Sequence, residues 1–426
     1  MQLQQFSGFP FIDGGVCAAK GFQANGVQCG LAHKALTEDD TPASPTSGKK
    51  KNDLAVIYAT CPCATAAVYT TNKVKGAPIL VTQKHLKNGM AQAVIVNSVN
   101  ANTCNPDGVE KAEAMCKLAA DALQLDPTDI VVASTGVIGQ VLPIEPIAKA
   151  VPALCKGLSE TGNDAAMEAI MTTDTMPKQL AVSFTLDGKT CHLGGMLKGS
   201  GMIHPNMATT LTFLTTDAAI APALLQQALS DVIPYTLNRV SVDGDTSTND
   251  MVCVMASGLA GNAEITKENA DYDIFKQALY AALMNLARWM ARDGEGATKL
   301  ITCICSEADS EQTAQTVAKS VITSSLFKAM IFGQDANCGR ILCALGYADA
   351  DFDVNKVNVS IASAAGSIEA CKNGNVLNFS EADAKAILEQ EEIIISISLQ
   401  AGEASATAWG CDLTYDYVKI NGDYRS

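Results

Sequence analysis

The residues best able to do chemistry lie near the middle of the chain, where Ala208 is joined to Thr209. A threonine at the N-terminus of a chain can act as a nucleophile, because its own α-amine then serves as the general base. That amine has a pKa of about 7.7–8, so the free base is available near neutral pH. Thr209 is internal, and it would gain this amine only if the protein cut its own backbone at the Ala208–Thr209 bond.

The sequence on both sides of this bond suits self-cleavage. A glycine-rich turn, Gly199-Ser200-Gly201, follows Lys198, and Pro205-Asn206 comes shortly before the small residue Ala208. Such residues allow a strained turn. The stretch TTLTFLTTD (209–217) has the β-branched bias of a strand. The chemistry alone leaves a plain alternative open, in which a turn leads into a strand and nothing is cut.

Elements that could position this junction follow from the pattern of apolar residues. Short runs rich in β-formers at 77–83, 93–97 and 129–134 predict strands. Asn105 and Pro106 are typical of a helix start, and an apolar stripe follows them at helical spacing. The sequence therefore predicts a helix between the second and third of these strands.

The second half of the chain shows the same mixture. A long helix is predicted over roughly 272–292, and alternating apolar residues at 357–361 and 395–399 predict half-buried strands. The polar stretch 37–53 is expected to form a surface loop. These elements predict a mixed α/β class with antiparallel character, and a smaller domain that begins near 310.

Composition limits the class of protein. A length of 426 residues with 48% hydrophobic residues predicts about two or three domains with buried cores. A net charge of −15 argues against nucleic acid and against anionic membranes as partners. The N-terminal stretch lacks the charged start of a signal peptide, and no apolar run is long enough for a spanning helix. We therefore expect a cytoplasmic protein.

Metal and nucleotide sites are not expected. The chain has fifteen cysteines at irregular spacing and only four histidines, none at metal-ligand spacing beside a cysteine. Reduced, buried cysteines are the better interpretation. The segment GEGATK (294–299) lacks the spacing of a phosphate-binding P-loop. The segment DGDTSTND (243–250) lacks the glycine and glutamate of a calcium loop.

The motif KGSGMIHPNMAT (198–209) closely resembles the signature of the ornithine acetyltransferases, also called glutamate N-acetyltransferases. The resemblance extends over nearly the whole chain, because further blocks follow in the order of that family. These blocks are GGVCAAKGFQANGVQCGL (14–31), YTTNKVKGAPILVTQKHL (69–86), NSVNANTC (97–104), ASTGVIGQVLP (133–143), MTTDT (171–175), VDGDTSTND (242–250), GEGATK (294–299), GRILCALGYA (339–348) and NGDYRS (421–426).

The resemblance implies a fold and a reaction. The fold would be an ArgJ/DmpA-like layered α/β (α+β) sandwich with the logic of an N-terminal nucleophile, plus a smaller C-terminal α+β domain over about 310–426. Self-cleavage would give an α chain, 1–208, and a β chain, 209–426, which assemble as an α2β2 heterotetramer. The enzyme would move an acetyl group from N2-acetylornithine to glutamate in arginine biosynthesis. No cofactor is implied, and whether acetyl-CoA is also a donor stays open.

The resemblance also implies roles for particular residues. Thr209 would be the nucleophile and would carry the acetyl group. Thr135, through its hydroxyl, and Gly136, through its backbone N–H, would form the oxyanion hole. Lys198 can meet a carboxylate and Glu295 an ammonium group. The substrate-binding positions implied are Thr172 or Thr173, with Thr172 preferred, Lys198, Thr209, Glu295, Asn421 and Ser426.

Three departures from the family pattern bear on local packing. Val99 stands where the family has a glycine, Cys338 where it has a tryptophan, and Ser426 where threonine is common.

Two rival functions also stay open. One is a related self-processing threonine amidohydrolase or aminopeptidase, which passes the acyl group to water. The other is an uncleaved, non-catalytic homologue.

Overall fold

The computed structural model describes residues 3–31, 51–204 and 210–422. Ala208, Thr209 and Ser426 lie outside the described residues, as does most of the loop predicted at 37–53. The strands are β1 (Phe11–Ile12), β2 (Phe22–Val27), β3 (Leu54–Tyr69), β4 (Met90–Asn97), β5 (Ile130–Ser134), β6 (Lys178–Leu186), β7 (Lys189–Lys198), β8 (Leu211–Thr216), β9 (Val240–Ser241), β10 (Met251–Ala256), β11 (Leu300–Ala308), β12 (Asn358–Ser363), β13 (Gly366–Lys372), β14 (Asn375–Val376), β15 (Glu392–Ser398) and β16 (Ala404–Cys411). The α-helices are α1 (Ala77–His85), α2 (Gly108–Leu123), α3 (Ile144–Lys156), α4 (Asn163–Ile170), α5 (Pro222–Val232), α6 (Ala270–Arg292), α7 (Glu311–Thr323), α8 (Ser325–Gly333), α9 (Cys338–Gly346), α10 (Glu381–Leu388) and α11 (Tyr415–Gly422).

The larger sheet runs in the order β1-β6-β7-β8-β10-β3-β4-β5, and β2 pairs with β3. Strand β3 joins two halves of this sheet. Its register with β4 breaks between Tyr58 and Cys63, and such a break bends a strand. The residues before the break pair with β2, and those at its end pair with β10. One strand thus belongs to both halves.

Both faces of this sheet are buried, which gives the layered fold. On one half, alternate residues of β8 and β10 pack against α5 and α6. On the other half, alternate residues of β4 and β5 pack against α2 and α3. The remaining faces of both halves share one central core, in which Val94 and Val131 belong to the same cluster as Phe213 and Met251. Burial on both faces explains the nearly continuous apolar runs of these strands, and the layered α/β class is confirmed.

A second sheet has the order β14-β13-β12-β15-β11-β16-β9. Helices α7 to α10 contribute to its separate core, which contains Cys303, Phe327 and Ile395. The short strand β9 joins this sheet from much earlier in the chain. The second sheet therefore draws on residues before 310, and a domain boundary near 310 stays a prediction.

Most predicted elements are confirmed, and one is wrong. The run at 77–83 forms helix α1 and not a strand. Pro78 lies in the first turn, where a missing N–H costs nothing, and the Thr82 hydroxyl donates to the carbonyl oxygen of Val132 at 2.9 Å. The apolar residues of the run thus pack as a helix beside β5. The helix predicted after Asn105-Pro106 begins slightly later, at Gly108.

The described residues include every cysteine, and all fifteen are unpaired, nine of them buried. Burial raises the pKa of the Cys17 thiol to about 11, which keeps that group protonated. Among the described residues no helix is both long and apolar enough to cross a membrane.

Candidate active site

The turn predicted as an oxyanion hole follows directly after β5. The Thr135 N–H donates to the carbonyl oxygen of Asn97 at 3.0 Å, and the Val137 N–H donates to that of Val99 at 2.8 Å. Gly136 has φ +128°, and a Cβ there would lie 2.1 Å from the Val99 carbonyl group, so only glycine fits. Among the described residues the Gly136 N–H has no acceptor. This N–H is therefore available to a ligand.

Val99, the departure beside this turn, has a left-handed backbone with φ +80°. That conformation is strained for a β-branched residue. Its loop is held by asparagine side chains: Asn97 Nδ2 donates to the carbonyl oxygen of Asn100 at 2.9 Å, and the Asn102 N–H donates to Asn100 Oδ1 at 2.8 Å. These bonds hold Val99 in a conformation that a glycine adopts without strain.

Asn249 lies between the turn at Thr135-Gly136 and the start of β8. Its Nδ2 donates to the carbonyl oxygens of Ser134 at 3.0 Å and of Ala101 at 2.6 Å. Two residues later, the Met251 N–H donates to the carbonyl oxygen of Thr210 at 2.9 Å. Asn249 thus brings the end of β5 close to the residue that follows Thr209 in the chain.

Asp250 is a buried carboxyl group in the same region. Its Oδ2 has no hydrogen-bond partner among the described residues. Burial raises the pKa of Asp250 well above its ordinary value, and Ser247 and the Lys198 ammonium oppose this only in part. Burial therefore favours the neutral form of this carboxyl group.

The predicted substrate residues gather around the glycine-rich turn. Lys198 is the last residue of β7, and its carbonyl oxygen accepts a hydrogen bond from the Thr210 hydroxyl. The hydroxyls of Thr173 and Ser200 are hydrogen-bonded at 2.7 Å. The Glu295 N–H donates to the carbonyl oxygen of Ser200 at 2.9 Å. Distant parts of the chain therefore meet at one turn.

Asn421 joins this group through Glu295. Its Nδ2 donates to Glu295 Oε2 at 2.7 Å, and Glu295 itself is 6% exposed. A Cβ on Gly201 would lie 2.3 Å from the Glu295 carboxylate, so the absence of a side chain there makes room for it. Helix α11 thus reaches the turn although about half of the chain separates them.

Of the two candidate threonines, it is Thr173 that contacts the turn. The Thr172 N–H donates to Asp174 Oδ2 at 3.0 Å, and its carbonyl oxygen accepts from Lys51 Nζ at 3.3 Å. Burial lowers the pKa of Lys51 from its ordinary value. Which threonine touches substrate stays a prediction.

The segment that leads from the turn to residue 204 is held by a loop from the motif at 242–250. The Asp243 carboxylate accepts from the Met202 N–H at 2.6 Å and from the Ile203 N–H at 2.9 Å. The Thr246 hydroxyl donates to the carbonyl oxygen of His204 at 2.9 Å. The chain is therefore fixed up to the last described residue before the predicted bond.

Sequence reasoning missed four residues of this site. Asp174, Asp243, Asn249 and Asp250 received no role, although each belongs to a motif block that resembles the family. The asparagine and aspartate residues of MTTDT and VDGDTSTND were the sequence signal that could have pointed to these four residues. It could not be interpreted without knowing which backbone groups these side chains meet.

A layered α/β fold with hydroxyl, ammonium and carboxylate groups around one turn is typical of an enzyme for a small charged substrate. Comparison with known proteins is more specific. The model of the ArgJ family matches residues 43–426. The chain belongs to the ArgJ family.

Three relatives illustrate the match. A curated relative from Clostridium acetobutylicum, arginine biosynthesis bifunctional protein ArgJ 1, is 49% identical over 385 residues, which are 90% of this chain and 94% of the relative. The crystal structure of the Bacillus halodurans bifunctional protein ArgJ is 47% identical and covers 49% of this chain and 97% of its own, with a TM-score of 0.47. An ornithine acetyltransferase from Mycobacterium tuberculosis, solved with ornithine, is 34% identical and covers 47% of this chain and 100% of its own, with a TM-score of 0.40.

Proposed function

We propose that this protein moves an acetyl group from N2-acetylornithine to glutamate through an acetyl-Thr209 intermediate. Membership of the ArgJ family makes it an acetyltransferase of arginine biosynthesis. The donor, the acceptor and the covalent intermediate are our assignment. The observation that carries it is the convergence of Lys198, Thr173, Glu295 and Asn421 on the turn that precedes the Ala208–Thr209 bond.

The first step creates the nucleophile. Thr209 Oγ attacks the carbonyl carbon of Ala208, the C–N bond breaks, and the nitrogen takes the proton. Water then hydrolyses the resulting ester, which leaves Thr209 with a free α-amine. The bonds from Asp243 and Thr246 to the segment at 202–204 support this step, because a fixed approach lowers the entropy cost of the attack.

The transfer itself has two halves. Thr209 Oγ attacks the acetyl carbon while its α-amine takes the proton; the amide C–N bond then breaks, and ornithine leaves with that proton. The α-amine of glutamate next attacks the acetyl ester, the C–O bond breaks, and Oγ regains a proton. No cofactor is needed in this sequence. Acetyl-CoA as a second donor stays open.

Each half passes through a tetrahedral oxyanion. The unpaired Gly136 N–H, together with the Thr135 hydroxyl, is our candidate donor pair for it. Loss of one such donor typically lowers kcat by about 10²–10³-fold. The segment at 249–251 supports this assignment, since Asn249 bonds to Ser134 at the end of β5 and the Met251 N–H bonds to the carbonyl oxygen of Thr210.

The substrates are amino acids with both an ammonium and a carboxylate group. Lys198 suits the carboxylate and Glu295 the ammonium. Asn421 donates to Glu295 and leaves the other carboxylate oxygen for a ligand. We assign Ser426 to the same site from the family resemblance alone. An α2β2 assembly in the cytoplasm completes the proposal.

The test is the intact mass of the purified protein under denaturing conditions, beside a Thr209→Ala variant. We expect fragments 1–208 and 209–426 from the wild type and one full chain from the variant. Acetyl transfer from N2-acetylornithine to glutamate is then measured. A wild-type chain that stays whole would favour the non-catalytic homologue, and release of free acetate in preference to acetylglutamate would favour the amidohydrolase.

A further inference from the structure

A buried ionic cluster lies behind the glycine-rich turn. Lys178, the first residue of β6, is fully buried, and its Nζ lies 2.7 Å from Asp174 Oδ1. The same ammonium group bonds to Asp293, which follows the last residue of α6 and is 115 residues away in the chain. Neither the catalytic scheme nor the family resemblance gives these three residues a role.

Asp174 holds the backbone on one side of the cluster. Its Oδ1 accepts from the Gly199 N–H at 2.8 Å, directly after Lys198. Its Oδ2 accepts from the Thr172 N–H at 3.0 Å, which orders the segment that carries Thr173. One carboxylate thus fixes two of the predicted substrate-binding segments.

Asp293 holds the other side. Its carboxylate oxygens accept from the Thr175 N–H, both at 3.2 Å, and it also accepts from the Thr175 hydroxyl. Glu295 follows two residues later, and its N–H is bonded to the carbonyl oxygen of Ser200. The position of α6 therefore sets the position of Glu295 relative to the turn.

The charges in this cluster stabilise one another. Burial alone would raise the pKa of Asp174, but the Lys178 and Lys198 ammonium groups outweigh it and hold that pKa below its ordinary range. Burial would lower the pKa of Lys178, but Asp174 and Asp293 raise it. Both shifts favour the charged forms of Asp174 and Lys178. Removing Lys178 alone would leave the two buried carboxyl groups of Asp174 and Asp293 without their ammonium partner.

We propose that Lys178, Asp174 and Asp293 are positioning residues, which hold Lys198 and Glu295 at the spacing that fits the carboxylate and ammonium groups of one amino-acid substrate. The inference rests on the proposed function. The ionic cluster also spans the predicted cleavage point, because Lys178 and Asp174 lie in the first fragment and Asp293 lies in the second. The cluster thus aligns binding groups that belong to different chains after cleavage.

The decisive variant removes all three charges: Asp174→Asn, Lys178→Met and Asp293→Asn together. The single change Lys178→Met is compared with it. Lys299→Met is the matched control, since Lys299 is a buried lysine whose Nζ donates to the carbonyl oxygen of Gln390 at 3.0 Å. For each protein we would measure Tm, KM and kcat for glutamate, and the Kd of ornithine by calorimetry.

We expect the triple variant to regain the Tm that Lys178→Met loses, while KM and Kd stay raised by about ten- to a hundredfold. Lys299→Met keeps the wild-type KM and Kd. Wild-type KM and Kd in the triple variant would overturn the proposal, because the cluster would then only balance charge. A wild-type protein that neither binds ornithine nor transfers acetyl would instead refute the proposed function.

Two single substitutions that disturb the fold less provide a second test, in case the charge variants do not fold. Thr175 is exposed, and Thr175→Val removes one hydroxyl bond to Asp293. Thr128→Val removes a similar bond, to Asp126 at 2.7 Å, far along the chain from the turn. We expect a severalfold rise in the Kd of ornithine for Thr175→Val alone, and equal values for the two variants would contradict the positioning role.

Discussion

At the scale of single residues, strain marks the neighbourhood of the candidate oxyanion hole. Val99 adopts φ +80°, and its carbonyl oxygen accepts the Val137 N–H beside Gly136. A left-handed backbone costs an L-residue about 1–2 kcal/mol. The asparagine bonds of the loop impose this conformation, so the chain keeps the left-handed turn without a glycine at residue 99.

At position 99 we expect the glycine variant to be more stable than the alanine variant, which is the reverse of the usual order of stability. In a helix or strand, glycine is about 0.5–1 kcal/mol less favourable than alanine. At a left-handed position we expect Val99→Gly to be more stable than Val99→Ala by about 1 kcal/mol, because only alanine keeps the strain. Urea unfolding of both variants measures this difference. A Val99→Gly protein that unfolds at lower urea than Val99→Ala would show that the loop is not strained.

At the scale of elements, the segment at 202–204, which leads to the predicted cleavage bond, contains a histidine without charge. His204 packs against the loop from 242–250, and its Nδ1 lies 3.1 Å from Ser241 Oγ. Burial, with a contribution from Lys319, lowers the pKa of His204 to about 4. The uncharged ring is therefore the form that the folded segment accepts.

This shift predicts a pH dependence of stability. Because the pKa is lower in the folded chain than its ordinary value of 6.5, the unfolded chain binds the proton first as the pH falls. The stabilisation is complete above pH 6.5 and is lost as the pH falls towards 4, by about 1–3 kcal/mol. His204→Asn should flatten the curve of unfolding free energy against pH across this window. Parallel curves for the two proteins would contradict the assignment.

At the scale of the whole molecule, the two predicted fragments form one sheet. Strand β7 from the first fragment pairs with β8 from the second, as Leu197 does with Thr212, and β10 pairs with β3. The ionic cluster adds a bond between Lys178 and Asp293. Cleavage before Thr209 would leave all of these contacts in place.

The cleaved protein should therefore behave as one particle until it is denatured. We expect both fragments to elute together in native size-exclusion chromatography. They should separate in denaturing electrophoresis without a reducing agent, because all fifteen cysteines are unpaired. Fragments that part under native conditions, or that need a reductant to separate, would contradict this view of the fold.

The sequence alone determined most of the local elements and the family. The β-branched run at 209–217 predicted β8, and the long apolar stripe predicted α6, because side-chain periodicity follows from backbone geometry. The family resemblance also predicted Lys198, Glu295 and Asn421 as substrate-binding residues, since each lies in a motif block that is continuous in the sequence. These signals depend on residues that are close together along the chain.

Only the tertiary structure decided what depends on distant contacts. The run at 77–83 became a helix because it packs beside β5, with Thr82 bonded to Val132. Nothing in the sequence around Lys178 predicts that its side chain is buried. It is nevertheless fully buried, because two carboxylates, one of them 115 residues away, compensate its charge. Desolvation and ion pairing are properties of the packed interior, and spacing along the chain does not encode them.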